Sequence, residues 1–128
     1  MTREEKRLLL TDLCARLPYK VICNASVRSN NTDTPPMSSD YCLTHALLNY
    51  AWIDRYKLRP YLRPMSSMTD EERIFYNNAN LDGEFGYNPY FKTPAIDIID
   101  WLNAHHFDYR GLIEKGLALE APEDMYAN

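Results

Sequence analysis

Apolar residues recur at helical spacing near the start of the chain, at Leu9, Leu10, Leu13, Cys14 and Leu17. The segment Thr2–Glu5 has the spacing of a capping box, in which a threonine hydroxyl and a glutamate carboxylate bind free backbone N–H groups at a helix start. Pro18 ends the pattern, because proline has no N–H and clashes with the preceding helical turn. The pattern predicts a first helix over residues 3–16.

The next part of the chain has the composition of strands and turns. Tyr19–Val27 is rich in β-branched and aromatic residues, which predicts a strand. Residues 29–40, SNNTDTPPMSSD, lack hydrophobic periodicity and predict a flexible loop. Tyr41–Leu48 and Tyr50–Tyr56 predict a hairpin or a continued meander, although THALLNYAWI also fits a helix. These segments predict a small antiparallel sheet, for which a curled SH3-like barrel is one arrangement.

Prolines and a second capping box organise the region that follows. The segment KLRPYLRPM, residues 57–65, contains Leu-Arg-Pro twice at a four-residue interval. Because each proline favours extended geometry in the residue before it, we expect an extended strap here and not a helix. Thr69–Glu72 has capping-box spacing and predicts a short helix to about Asn78, followed by a loop over Asn80–Tyr90.

The last helix has a clear start. Thr93 suits the N-cap and Pro94 the first helical position, so we expect a helix to His105 or His106. Gly111–Asn128 has scattered apolar residues and predicts an ordered tail of turns or a short strand. Residues 1–128 are therefore predicted to form one α+β domain, with an N-terminal helix, the small sheet, two further helices and the tail.

Charge and composition narrow the setting. The net charge of −4 gives no general attraction to nucleic-acid phosphates. No apolar run is long enough to cross a bilayer and the N-terminal segment does not resemble a secretory signal, so we expect a cytoplasmic protein. Cys14, Cys23 and Cys42 form no CxxC pair, and their odd number indicates reduced thiols.

Two adjacent histidines, His105 and His106, are the first candidate site. With Asp108 they could serve a metal-dependent enzyme, which is one alternative function. Neighbouring helical residues point about 100° apart, however, and a helical zinc motif needs two histidines four residues apart. We therefore expect structural roles. His106 would extend the apolar face with its ring nitrogens bonded to the backbone, and His105 would lie near the negative helix end. No catalytic residue, metal or cofactor is predicted.

A basic and aromatic segment is the second candidate. Arg55, Lys57, Arg59 and Arg63 alternate with Tyr56 and Tyr61. Such interleaving can bind single-stranded nucleic acid by charge and stacking, so a small nucleic-acid-associated regulator using residues 55–63 is another alternative. The acidic residues 70–72 just downstream could neutralise this segment, and the whole chain is acidic. Nucleic acid is therefore not the expected partner.

Residues near the last predicted helix form the third candidate. Arg110 could pair with a carboxylate or bind an acidic group of a partner, and Gly111 would permit a left-handed turn. Trp101, on the flank of the helix, could seal the tail or anchor an interface. Closure of the C-terminal unit accounts for Asp108 and Tyr109 without an activity.

Three segments carry a family resemblance: DLCARLP at 12–18, RPYLRPMSSMTDEE at 59–72 and DWLNAHHFDYRGLIEKGLALEAPEDMY at 100–126. Together they resemble a family of short, uncharacterised proteins encoded by gut anaerobes of the Bacteroidales and by their phages and mobile elements. The resemblance implies a phage or mobile-element setting. It supplies no catalytic residue that could be carried over to this chain.

These observations favour a non-enzymatic accessory protein that acts through protein–protein contacts. The expected partner is an unidentified protein or a second copy of the chain. The candidate interaction residues are Tyr56, Arg59, Tyr61, Arg63, Trp101, His105, His106, Asp108, Tyr109 and Arg110.

Overall fold

A computed structural model describes residues 2–27, 37–49, 56–84 and 94–126 of the chain. Its regular elements are α1 (Arg3–Arg16), β1 (Ile22–Val27), β2 (Met37–Cys42), α2 (His45–Asn49), β3 (Tyr56–Leu62), α3 (Asp70–Glu84), α4 (Pro94–Ala104) and β4 (Leu119–Glu120). Short 3₁₀ turns cover Leu17–Tyr19 and Met65–Ser67. The predicted α+β class is confirmed. None of the described helices is both long and apolar enough to cross a membrane.

Helix α1 begins and ends where the sequence pattern places it. The Thr2 hydroxyl accepts a hydrogen bond from the Glu5 N–H, and the Glu5 carboxylate accepts one from the Thr2 N–H, each at 3.0 Å. This reciprocal capping box satisfies N–H groups that have no partner within the helix. After the helix, Lys20 has a φ of 58° and turns the chain toward the sheet. Strand β1 therefore begins at Ile22, three residues later than predicted.

The sheet has the strand order β2-β1-β3-β4. Strand β1 pairs antiparallel with both β2 and β3, as expected for the middle of the chain. Strand β4, from the C-terminal tail, pairs parallel with β3 at Tyr61↔Leu119 and Leu62↔Glu120. The sheet is therefore mixed, because the tail contributes a strand in the same direction as its neighbour.

The sequence pattern misplaced the boundaries around β2. Four residues of the predicted loop, Met37–Asp40, are part of the strand, and residues 28–36 lie outside the described ranges. Of the predicted strand Tyr41–Leu48, only Tyr41 and Cys42 belong to a strand. His45–Asn49 forms α2, in which the Thr44 hydroxyl accepts a hydrogen bond from the Leu47 N–H at 3.1 Å. The helix alternative was therefore correct here, and residues 50–55 are outside the described ranges.

Strand β3 contains the predicted extended strap. The two Leu-Arg-Pro repeats lie along or directly after it, and the strand is an inner one. Pro60 has no N–H for a ladder, which usually restricts proline to sheet edges. Here Pro60 faces Cys23 at the last β1–β3 pair, and β4 pairs only with the two residues that follow it.

The second capping box is also formed, by Thr69 and Glu72 at the start of α3. The helix continues to Glu84, beyond the predicted end at Asn78, and includes residues 80–84 of the predicted loop. Helix α4 starts at Pro94 as predicted, and Thr93 lies outside the described ranges. It ends at Ala104, and His105 and His106 form the turn that follows.

Two apolar clusters hold these elements together. In the larger one, α1 packs on one face of the sheet through Leu9, Leu10, Leu13, Cys23, Leu58 and Leu62, all buried. Leu112, Leu117 and Ala118 of the tail belong to the same cluster, so the tail is part of the main core. The smaller cluster consists of Ile98, Leu102 and Phe107, with side chains of α3 packed against it.

Candidate functional site

The histidine pair closes α4. The His106 N–H donates to the Asn103 carbonyl at 3.1 Å, and the Phe107 N–H donates to the Leu102 carbonyl at 2.9 Å. His106 has a φ of 64°, the left-handed conformation that a helix terminus of this type requires. Leu102 and Phe107 meet in the smaller apolar cluster, which is the contact that accompanies such a Schellman motif.

The two histidine rings lie against different residues. The His105 ring packs against Trp101 in a tilted arrangement with centroids 4.6 Å apart, and its Nδ1 lies 3.6 Å from a Glu72 carboxylate oxygen. The His106 ring stacks on Tyr126 with centroids 3.8 Å apart. Its Nδ1 is buried without a hydrogen-bond partner, so the expectation that both ring nitrogens bind the backbone is wrong.

Burial sets the protonation of both histidines. Burial, together with the positive charge of Arg16, lowers the pKa of His106 to about 4. Burial also lowers the pKa of His105, although the Glu72 carboxylate opposes this effect. Both rings are therefore neutral at pH 7. Within the described ranges, no three His, Cys, Asp or Glu side chains come together in a way that could hold a metal ion.

Arg63 is engaged by Glu72. Its guanidinium donates two hydrogen bonds to the two carboxylate oxygens, at 2.9 and 2.7 Å. These bonds and the capping bond from the Thr69 N–H lower the pKa of Glu72 to about 2. The Arg63 guanidinium also lies over the Phe107 ring, 4.2 Å from its centroid. One of the four basic residues of the candidate nucleic-acid segment is thus neutralised by the downstream acidic residues.

A buried charge cluster was not predicted from the sequence. Asp12 and Arg16, one turn apart on α1, have fully buried side chains, and the Arg16 Nε donates to Asp12 at 2.7 Å. Arg110 Nε donates to the other Asp12 oxygen at 3.1 Å. Arg16 also donates to the Phe107 carbonyl at 2.6 Å. The available signal was the i,i+4 spacing of Asp12 and Arg16 among the leucines of the apolar helix face.

Tyr109 and Arg110 extend this cluster to α4. Arg110 donates to the Tyr109 hydroxyl at 3.1 Å, which in turn donates to the Asn103 side-chain carbonyl at 2.9 Å. The guanidinium groups of Arg16 and Arg110 both lie over the Tyr109 ring, 5.3 and 4.9 Å from its centroid. The predicted pairing of Arg110 with a carboxylate is therefore present, and the carboxylate belongs to α1.

Asp108 and Trp101 also have internal partners. The Asp108 carboxylate accepts hydrogen bonds from the Leu112 and Ile113 N–H groups, at 2.8 and 3.0 Å. Gly111, which lies between Asp108 and these two N–H groups in the sequence, has a φ of 74°, as expected for a left-handed turn. Trp101 stacks on Phe107 and lies close to the rings of α3, with centroid distances of 5.2 to 6.3 Å. It therefore joins α3 to α4 instead of sealing the tail.

Two of the remaining candidates, Arg59 and Tyr61, lie on the polar face of the sheet. Side chains alternate along a strand, so Arg59 and Tyr61 face away from the buried Leu58 and Leu62. The Tyr61 hydroxyl donates to Asp40 at 2.9 Å, and burial together with this bond raises the pKa of Tyr61. Asn24, from the strand between them, donates to the same Asp40 oxygen at 3.0 Å. The side chain of Tyr56 is outside the described part of the structure.

Strand β2 forms an outer edge of this sheet, and its residues 38–42 are all exposed. The Leu43 N–H, directly after β2, donates to the Val21 carbonyl at 2.8 Å, so it points toward β1. Successive N–H groups along a strand point alternately toward the paired strand and away from it, so this bond sets the direction of each N–H group in β2. The N–H groups of Ser39 and Tyr41 therefore point to β1, and those of Ser38 and Asp40 point outward. Tyr41 is 53% exposed at this edge.

The candidate residues thus divide into separate groups, and most of their polar atoms bind other parts of the chain. Comparisons with protein-family models, with curated proteins and with solved structures found no match.

Proposed function

We propose that this chain is a non-enzymatic interaction protein that binds a protein partner by strand addition at the outer edge of β2. The exposed edge is the observation that carries the proposal. Ser38 and Asp40 direct backbone N–H groups outward, and no described strand pairs with them. An extended segment can complete such a ladder through main-chain hydrogen bonds.

The side chains of β2 define the chemistry of the partner segment. Tyr41 is exposed and combines apolar area with a polar tip, properties that are enriched in protein interfaces. Asp40 carries the one charge of the strand, and its carboxylate is fixed by Asn24 and Tyr61. We therefore propose a partner segment with an apolar residue against Tyr41 and a basic residue near Asp40.

The internal bonding of the other candidates supports a role without catalysis. Arg63 and Glu72 bind each other, Asp108 binds backbone N–H groups, and Arg110 binds Asp12. These bonds stabilise the closure of the C-terminal part of the chain. Among the described residues, the sheet edge with its adjoining polar face is a surface that remains open for recognition by strand addition.

An affinity pull-down from the native host tests the proposal. The tagged wild-type chain is compared with Ser38→Pro, which removes an outward N–H and leaves the backbone hydrogen bonds to β1 in place. The substitution also removes the hydroxyl that accepts a hydrogen bond from the Asn24 amide at 2.7 Å, so Ser38→Ala, which lacks only this hydroxyl, should keep the partner. Arg3→Pro is the matched control, because it introduces proline at the first position of α1, where the N–H has no helical partner.

We expect a stoichiometric protein with the wild type and with Arg3→Pro, and its loss with Ser38→Pro. Thermal unfolding of each variant confirms that the chain is folded. Retention of the partner by folded Ser38→Pro, or recovery of no stoichiometric protein by the wild type, would contradict the proposal.

A second candidate function is single-stranded nucleic-acid binding on the polar sheet face. The observation in its favour is the alignment of Lys57, Arg59 and Tyr61 on that face of β3. Against it, Tyr61 is bonded to Asp40, and Arg63 is neutralised by Glu72. Retardation of single-stranded DNA or RNA at low salt, lost in Lys57→Ala/Arg59→Ala, would favour this function over strand addition.

The biological setting is a proposal of its own. The resemblance of the three segments described above supports a phage or mobile-element setting, and it supports nothing about the partner. Three cysteines without disulfide partners support a reducing compartment such as the cytoplasm.

A further inference from the structure

Residues 119–126, the last described part of the tail, are attached to the sheet by the β3–β4 pairs and by side-chain and backbone hydrogen bonds. The Tyr126 hydroxyl accepts a hydrogen bond from the Ile22 N–H at 2.9 Å and donates one to the Tyr61 carbonyl at 2.8 Å. Ile22 and Tyr61 lie one position beyond the last pair of the β1–β3 ladder, so the hydroxyl bridges the two strands where direct pairing ends. The Ala121 N–H adds a bond to the Leu62 carbonyl at 2.8 Å.

His106 holds the Tyr126 ring in place. The two rings are stacked at 3.8 Å, and the left-handed turn after α4 fixes the position of the histidine. The Arg63 N–H donates to the His106 carbonyl at 2.7 Å, so the same residue is tied to the end of β3. The stack therefore joins the helix terminus, the sheet and the tail.

The surroundings of His106 disfavour a positive charge. Arg16 approaches from α1, Arg63 from the end of β3, and His105 is the neighbour in sequence. The nearby carboxylates already have partners: Asp12 binds Arg16 and Arg110, Glu72 binds Arg63, and Asp108 binds backbone N–H groups. A protonated His106 would also present a buried Nδ1–H without an acceptor.

We propose that His106 and Tyr126 form an acid-sensitive latch, in which proton uptake by His106 releases the tail, residues 119–126, from β3. Release would expose the outer edge of β3 at Tyr61 and Leu62, which β4 now covers. The proposal is independent of partner binding at β2, because β4 lies at the opposite edge of the sheet from β2.

The expected pH range follows from proton linkage. In the docked state burial and the nearby charge of Arg16 lower the pKa of His106 to about 4, whereas a released, solvated histidine titrates near its ordinary value of 6.5. The released state therefore binds the proton more tightly, and docking weakens as the pH falls from 6.5 toward 4. Allowing for partial solvation of the ring, we expect docking to weaken by about tenfold at pH 4.5. Glu72, with a pKa of about 2, stays ionised over this range.

Amide hydrogen exchange between pH 7 and pH 4.5, corrected for the intrinsic rates, tests the latch. Two N–H groups serve as reporters: that of Ile22, which donates to the Tyr126 hydroxyl, and that of Ala121, which donates to the Leu62 carbonyl. The Leu13 N–H in α1 reports global opening. We expect the reporters to be less protected than Leu13 at both pH values, because release of the tail does not require global opening, and we expect their protection to fall about tenfold at pH 4.5. Global opening also solvates His106, so a loss at Leu13 is expected as well. Unchanged reporters, or reporters that are as strongly protected as Leu13 at both pH values, would overturn the proposal.

Two matched variants assign the effect to His106. His106→Asn tolerates a positive φ and does not titrate, so the reporters should then show no dependence on pH. His105→Asn removes the neighbouring histidine and should keep the dependence of the wild type. An acid response that persists in His106→Asn, or disappears in His105→Asn, would place the titrating group elsewhere and refute the latch.

Discussion

Asp12 accepts a hydrogen bond from Arg110 at 3.1 Å although 98 residues separate them in the sequence. The same carboxylate binds Arg16, whose guanidinium reaches the Phe107 carbonyl. One buried acidic group therefore connects the first helix to the segment that follows the last helix. Asp12 is the counter-charge of two guanidinium groups, those of Arg16 and Arg110, so loss of this single negative charge should destabilise the whole cluster.

Replacement of Asp12 by asparagine should strongly destabilise the fold. The amide keeps the shape of the side chain but leaves buried Arg16 without a counter-charge, a change that costs about 3 kcal/mol or more in the free energy of unfolding. Urea denaturation measures the loss. Asp100→Asn, at an exposed site on α4, is the control and should change stability by less than about 0.5 kcal/mol. A loss at Asp12 below about 1 kcal/mol would contradict a dominant role of this charge.

Substitutions of His106 should separate its backbone role from its ring contact. His106→Gly and His106→Ala both lose the stack on Tyr126, but only alanine is strained at a φ of 64°. We therefore expect the glycine variant to be more stable than the alanine variant by about 1 kcal/mol. Thermal and urea unfolding of the two proteins provide the comparison. Equal stability would indicate that the left-handed turn relaxes when the ring is removed.

The sequence predicted those parts of the fold that depend on local signals. The capping boxes at Thr2 and Thr69 gave the starts of α1 and α3, and Pro94 gave the start of α4. These features involve residues that are close in the sequence, so their spacing can be recognised from the sequence alone. The prolines of β3 likewise indicated extended geometry, although not its position inside the sheet.

Long-range contacts account for what the sequence did not reveal. Pairing with a carboxylate was one of two roles predicted for Arg110, but only the folded chain brings Asp12 to it. The prediction for His106 placed this residue on the apolar face of α4. The helix instead ends at Ala104, and the turn at His105 and His106 brings the His106 ring against Tyr126. A short strand was one prediction for the tail, but its parallel pairing with β3 was not predicted, because that pairing joins segments that are distant in the sequence.

The three thiols should differ in reactivity. Cys14 and Cys42 are exposed, whereas Cys23 is buried in the main core and burial raises its pKa to about 12. Because the thiolate is the reactive form, N-ethylmaleimide should label two cysteines of the native protein and the third only after unfolding. Mass spectrometry of the intact protein counts the labels. In Cys23→Ala, two labels are expected under both conditions, and rapid labelling of native Cys23 would contradict its burial.

Glu72 should make the stability of the protein depend on pH in an acidic range. Its bonds to Arg63 and Thr69 lower its pKa to about 2 in the folded state, below the ordinary value of 4.5. The ionised form is therefore favoured by folding, and its contribution is present above pH 4.5 and is lost as the pH falls toward 2. Because solvent screens this partly exposed pair, we expect a loss of about 1 to 2 kcal/mol.

Glu72→Gln should be less stable than the wild type at pH 6, and the difference should shrink as the pH falls from 4.5 to 2.5. Glu71→Gln, at the exposed neighbouring position, is the control for general charge effects. A difference between Glu72→Gln and wild type that stays constant across this range would show that the carboxylate charge does not contribute, and that only its shape and hydrogen bonds do.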